Sequence, residues 1–131
     1  MREVKVGVYD LGGESVTVAL REGFGGDFST RTPEREMTLI RIGAGTKDAE
    51  WAGAVGILLH EATEFVYMRM GLRYRPDPDY AFDNGAYLFI ANHTQYAEIC
   101  ARVGLFLSHC LPDLSGAWKK WQKKERKRPS D

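Results

Sequence analysis

Val4-Lys5-Val6-Gly7-Val8-Tyr9-Asp10-Leu11-Gly12-Gly13-Glu14-Ser15-Val16-Thr17-Val18-Ala19-Leu20 places apolar residues at alternate positions, first Val4, Val6 and Val8, then Val16, Val18 and Leu20. A period of two sends every second side chain to one face, so each run reads as a half-buried strand. Asp10-Leu11-Gly12-Gly13 between them is turn chemistry, and the pair reads as a β-hairpin. Residues 22–34, with Gly23, Gly25, Gly26 and Pro33, read as a loop, and 36–42 as a further strand. The glycine cluster lacks a following Gly-Lys-Ser/Thr and a helix start, so it is no phosphate loop.

Beyond residue 45 the apolar spacing changes from two to helical. Thr46 is placed to cap a helix with Asp48 and Glu50 in its first turns, where carboxylates meet the positive end of the helix dipole. Trp51, Val55, Leu58, Leu59, Ala62, Phe65, Val66 and Met70 form its expected apolar face, and Gly71 is its stop. Residues 72–81, with Pro76, Asp77, Pro78 and Asp79, read as an irregular excursion, and 86–90 as a short strand or helical turn. Asn92 and Gln95 have capping-box spacing and open a helix to about Cys110, with Ile99, Val103, Phe106, Leu107 and Cys110 inward. Pro112 and Asp113 should break it and start a last helix carrying Leu114, Trp118 and Trp121 as a stripe. Strands followed by helices specify an α+β domain, with an N-terminal antiparallel hairpin or sheet, a long helix and two further helices. No linker divides residues 1–131.

Composition bounds what such a domain can be. With 131 residues, 44% hydrophobic and 27% charged, and with basic and acidic residues balanced at 18 each, the chain fits one globular domain that needs no metal staple. Lys119, Lys120, Lys123, Lys124, Arg126, Lys127 and Arg128 concentrate positive charge in a tail, 119–131, expected to be a solvated, fraying helix end. With Trp118 and Trp121 nearby, the same charges permit nucleic-acid contact, although tryptophans at this spacing more often dock on their own core. No apolar run approaches the roughly 20 residues of a membrane span, and the start lacks a signal-peptide pattern, so the expectation is a cytoplasmic protein. Cys100 and Cys110 are about 15 Å apart along one helix, too far to bond, and read as core thiols. The sequence carries no signal of oligomeric state.

The chemistry-bearing segment is Leu58-Leu59-His60-Glu61-Ala62-Thr63-Glu64-Phe65, inside the long helix. His60 and Glu64, four residues apart, lie about 40° apart around the axis with about 6 Å of rise, close enough to grip one ion from one face. Glu61 sits about 100° to the side, as a base toward water. Polar groups bracketed by Leu58-Leu59 and Phe65-Val66 need a partner, either a hydrogen bond or a metal. Gly53, Gly56 and Ile57 precede His60 on its side of the helix, and small residues there admit a close neighbour or substrate. Asp77, Asp79 and Asp83 are spaced like part of a calcium loop, but the interleaved prolines and Tyr80 spoil the ligand geometry. His109 reads as a helix-end residue.

His60-Glu61-Ala62-Thr63-Glu64 resembles the active helix of the zincin metallopeptidases, His-Glu-x-x-His, with Glu64 in place of the second histidine. The resemblance covers about one helix. It implies zinc held by His60 and Glu64, Glu61 as general base, and a third ligand from downstream. His93 is preferred, and Glu98 is the alternative, because two carboxylates with one histidine suit a harder metal than zinc. Tyr67 or Tyr96 would orient a polarised carbonyl. The expected function is that of a small zincin-like metal-binding protein, a peptidase or amide hydrolase or an inactive relative. The competing expectation is a non-enzymatic interaction protein, such as a phage or prophage-type component, with a peptide or protein partner met by the sheet and the Trp118 to Trp121 stripe.

Overall fold

The structure, a computed structural model, describes residues 2–31, 36–45, 50–75 and 87–127. It is an α+β arrangement in which β1 (Glu3–Leu11), β2 (Glu14–Arg21), β3 (Gly26–Ser29) and β4 (Thr38–Gly43) precede α1 (Trp51–Arg69). Two short strands, β5 (Arg73–Tyr74) and β6 (Leu88–Phe89), then lead to α2 (His93–Arg126). The four-stranded sheet runs β1-β2-β4-β3.

The hairpin forms where the sequence places it, but Val4 and Val8 of the expected apolar face are exposed; Gly12 and Gly13 are both at positive φ (62° and 90°), as a tight two-residue loop between twisted strands demands. Its register shifts between Lys5 and Gly7, so Tyr9 stands opposite Val16 while Val8 faces outward, half exposed. Gly7 opens the space for this: a Cβ there would stand 2.3 Å from the Tyr9 hydroxyl, which donates to Asp113 of α2 at 2.7 Å.

Two sheet features differ from the sequence expectation. β3 lies within the stretch read as a loop, because Gly-Asp-Phe-Ser has no apolar alternation and is held by its pairing with β4. β2 and β4 run parallel, since the chain passes to the far edge as β3 before returning beside β2. The sheet is therefore mixed. Val16, Val18, Leu20, Ile40 and Ile42 are fully buried and form one core with both helices.

The helices also correct the reading. α1 begins at Trp51 with Glu50 as N-cap and no side-chain capping bond, while Thr46 and Asp48 lie outside the described residues. Its buried side is Ala54, Leu58, Glu61, Ala62, Phe65 and Val66, and Trp51 and Leu59 are 36% and 46% exposed. The buried stripe follows the sheet contact, which leaves Leu59 turned away from it. Gly71, at φ 72°, ends the helix as expected.

The two expected C-terminal helices are one. Its capping box is present: Asn92 Oδ1 accepts from the Gln95 N–H and Gln95 Oε1 from the Asn92 N–H, both at 2.9 Å. Pro112 sits inside α2 and is exposed. Ile99, Val103, Phe106, Cys110, Leu114, Trp118 and Trp121 stay buried in an unbroken three-four spacing across it. That continuous burial outweighs the one backbone hydrogen bond a proline forfeits. Lys119, Lys120, Lys123, Lys124 and Arg126 are ordinary helical residues here, and His109 lies in mid-helix rather than at an end. Among the described residues no helix is long and apolar enough to cross a membrane.

Candidate active site

α1 carries the polar trio in its third and fourth turns and splits it between two environments. Glu61 is 8% exposed and faces the sheet edge, where β3 comes so close that a Cβ on Gly26 would stand 3.2 Å from Glu61 Cγ and 2.4 Å from Ile57 Cγ2. Burial raises the Glu61 carboxyl above its ordinary range; the nearby His60 lowers it, and Glu64 and Asp27 raise it further. Asp27 is itself held by Arg41 at 2.9 Å and by Arg21 at 3.5 Å.

His60 and Glu64 lie on the other side. The His60 side chain is 69% exposed, and its Nε2 stands 3.3 Å from Glu64 Oε2, so the four-residue spacing does bring the two together. Glu64 Oε1 accepts from Arg73 Nη1 at 2.9 Å, and both of these side chains are largely buried. The Arg73 guanidinium is stacked 4.2 Å from the Tyr87 ring centroid and 5.6 Å from that of Phe28. Arg73 carries no periodic signal in the sequence. It reaches Glu64 because Gly71 turns the chain back into β5, which pairs with β6.

The elements bring some of the other expected residues near this pair. A cavity of about 670 Å³ lies between α1 and α2, with Gly56, Leu59, His60, Thr63, Glu64 and Tyr67 on one wall. Phe89, Tyr96, Ile99, Cys100, Val103, Gly104 and Leu107 make the other. Tyr67 packs edge-on against Phe89 with centroids 5.3 Å apart. Tyr96 is exposed, and its hydroxyl is raised above its ordinary value chiefly by the hydrogen bond to Cys100. Cys100 is thus an exposed cavity residue and not the core thiol expected; Cys110 is the core thiol, pushed up to about 12 by burial.

The downstream ligand candidates are placed differently. Glu98 is exposed and ion-paired with Arg102 one turn along α2, and His93 is the exposed first residue of that helix. Among the described residues no three His, Cys, Asp or Glu side chains form a group that could hold a metal ion. Asp77, Asp79 and Asp83 lie outside the described residues. Trp118 and Trp121 are 7% and 3% exposed, so they are core and do not form the partner surface the sequence allowed. Comparison with family models, with curated proteins and with solved structures gave no match.

Proposed function

We propose that this chain is a small zincin-like metal-dependent hydrolase of peptide or amide bonds, with His60 and Glu64 as the helix-borne pair of zinc ligands and Glu61 as the base. The observation that carries the reading is the 3.3 Å between His60 Nε2 and Glu64 Oε2. Two ligands at about 2.0–2.1 Å from a tetrahedral ion stand about 3.3 Å apart, so the separation of the pair matches the bite of zinc. The donor set of one imidazole and one carboxylate suits zinc, and the pair leaves the other positions open. Bound there, the ion supplies Lewis-acid polarisation of a carbonyl.

The chain's own residues do the rest. Arg73 holds Glu64 Oε1, which fixes the carboxylate and leaves Oε2 turned to His60, the outer-sphere support that metal-ligating carboxylates require. Glu61 adjoins the pair along the helix but is buried on its sheet side, and its raised proton affinity is the property a general base needs. The cavity that His60 and Glu64 line offers its apolar wall to a substrate side chain. Metal content of chain purified without chelator or nickel resin tests this. The expected result is about one zinc per chain, lost in His60→Ala and retained in Glu61→Gln, whose hydrolysis is about 10²–10⁴-fold slower. Metal-free chain whose melting temperature zinc does not change overturns it.

A second reading is favoured by the cavity itself. Its walls are mainly apolar, with Leu59, Phe89 and Tyr96 each 44–56% exposed, and the described residues hold no third donor. In that reading the chain is a non-enzymatic binding protein for a peptide partner, and partner binding needs no metal.

A further inference from the structure

A second cavity, of about 410 Å³, lies away from the polar trio, between β1 and the C-terminal half of α2. Arg2, Lys5, Lys120 and Lys124 line it together with Asp113 and Trp121. Lys120 and Lys124 are one turn apart on α2 and face Arg2 and Lys5 across the gap. Asp113 is engaged by the Tyr9 hydroxyl, and Arg2 Nη1 donates to Glu125 at 2.8 Å. Among the described residues the three lysines have no ion pair, so positive charge is in excess.

The independent observation is a set of buried donors with no acceptor. Trp121 is 3% exposed, yet its indole Nε1 has no hydrogen-bond partner among the described residues. Arg2 Nη2 is buried and unpartnered in the same way, while its guanidinium carbon lies 3.5 Å from the Trp121 ring centroid. A buried N–H without an acceptor costs about 1–3 kcal/mol, and native proteins rarely leave one without a water or ion to receive it. Both donors belong to residues that line the one cationic cavity.

We infer that the β1–α2 cavity binds a phosphate group next to Trp121, held by the positive charge of Arg2, Lys5, Lys120 and Lys124. Phosphate fits this set because it presents several strong acceptor oxygens to separate donors. The site stands on residues distinct from His60, Glu61 and Glu64, so it does not depend on the metal reading.

The test uses the indole N–H resonances of Trp51, Trp118 and Trp121 in the full chain. Inorganic phosphate at constant ionic strength should move the Trp121 resonance along a saturating curve, with Trp51 as the unmoved internal reference. Lys120→Gln/Lys124→Gln, at exposed positions, should weaken that curve about tenfold with the Trp51 resonance unchanged, which reports a retained fold. An equal Trp121 movement in sodium chloride, or no movement in phosphate, overturns the inference. An oligothymidylate arm separates the sources. Displacement of inorganic phosphate from the Trp121 signal assigns a nucleic-acid backbone, and an undisturbed signal assigns a small phosphate ester; both uphold a phosphate site.

Discussion

At the scale of single residues, His60 and Glu64 have different standing although they touch. The His60 side chain is mostly exposed, so truncating it removes little packing, and His60→Ala should change stability by no more than about 0.5 kcal/mol. Glu64 is largely buried and answers the equally buried Arg73, so Glu64→Ala should cost about 1–3 kcal/mol by leaving that guanidinium without its acceptor. Urea titration of the two variants checks the contrast; equal losses would place His60 in the structural network. Glu61 makes a pH prediction with a definite sign. Its carboxyl is raised in the folded state, so the folded chain binds the proton more tightly than the unfolded one, and its contribution falls as pH rises through the ordinary carboxylate value toward the folded one. Glu61→Gln removes that penalty. The melting temperature of Glu61→Gln minus that of the wild type should therefore grow from pH 4 to pH 7, and a difference that shrinks would show that Glu61 is stabilised as a carboxylate.

At the scale of elements, α2 is the clearest case of tertiary contact overriding a local signal. Pro112 lacks the N–H that would reach the Ser108 carbonyl, a loss that usually ends a helix. The residues on either side nonetheless remain on one buried stripe, from Ile99 to Trp121. Pro112 itself is exposed and contributes little packing. Pro112→Ala should consequently raise stability by about 1–3 kcal/mol, read as an upward shift of the denaturant midpoint with unchanged slope. A downward shift would mean that the proline sets a bend the docking of α2 requires. β3 makes the complementary point, since its register with β4 and its closeness to α1 through Gly26 hold a strand that its own residues do not specify.

At the scale of the whole molecule, one core joins the sheet to both helices. Phe106 is fully buried and meets Tyr9 of β1 edge-on with centroids 6.0 Å apart; Phe65 of α1 meets Phe28 of β3 in the same way at 5.7 Å. Arg2 adds a tie from the start of β1 to Glu125 near the end of α2. Because these contacts are shared, the sheet and helices should unfold together. Phe106→Ala should cost about 3–5 kcal/mol and shift the circular-dichroism and tryptophan-fluorescence transitions equally. Transitions that separate would show α2 melting from a sheet that stays folded.

Local sequence specifies the hairpin, helix α1, the capping box at Asn92 and the α+β class, because alternation, helical spacing and cap chemistry act over a few residues. It also determined that His60 and Glu64 meet, since four residues of helix fix that distance before any folding. Tertiary structure decided what the trio faces. Glu61 is buried because β3 closes over it, whereas His60 opens on a cavity that exists only once α2 lies beside α1. Arg73 and Cys100 entered the site, and Glu98 went to Arg102, by the same docking. The parallel pairing of β2 with β4, the unbroken α2 and the burial of Trp118 and Trp121 likewise depend on contacts between residues distant in the chain. Local spacing cannot encode which distant surface a side chain meets, and the burial free energy of that contact sets the outcome.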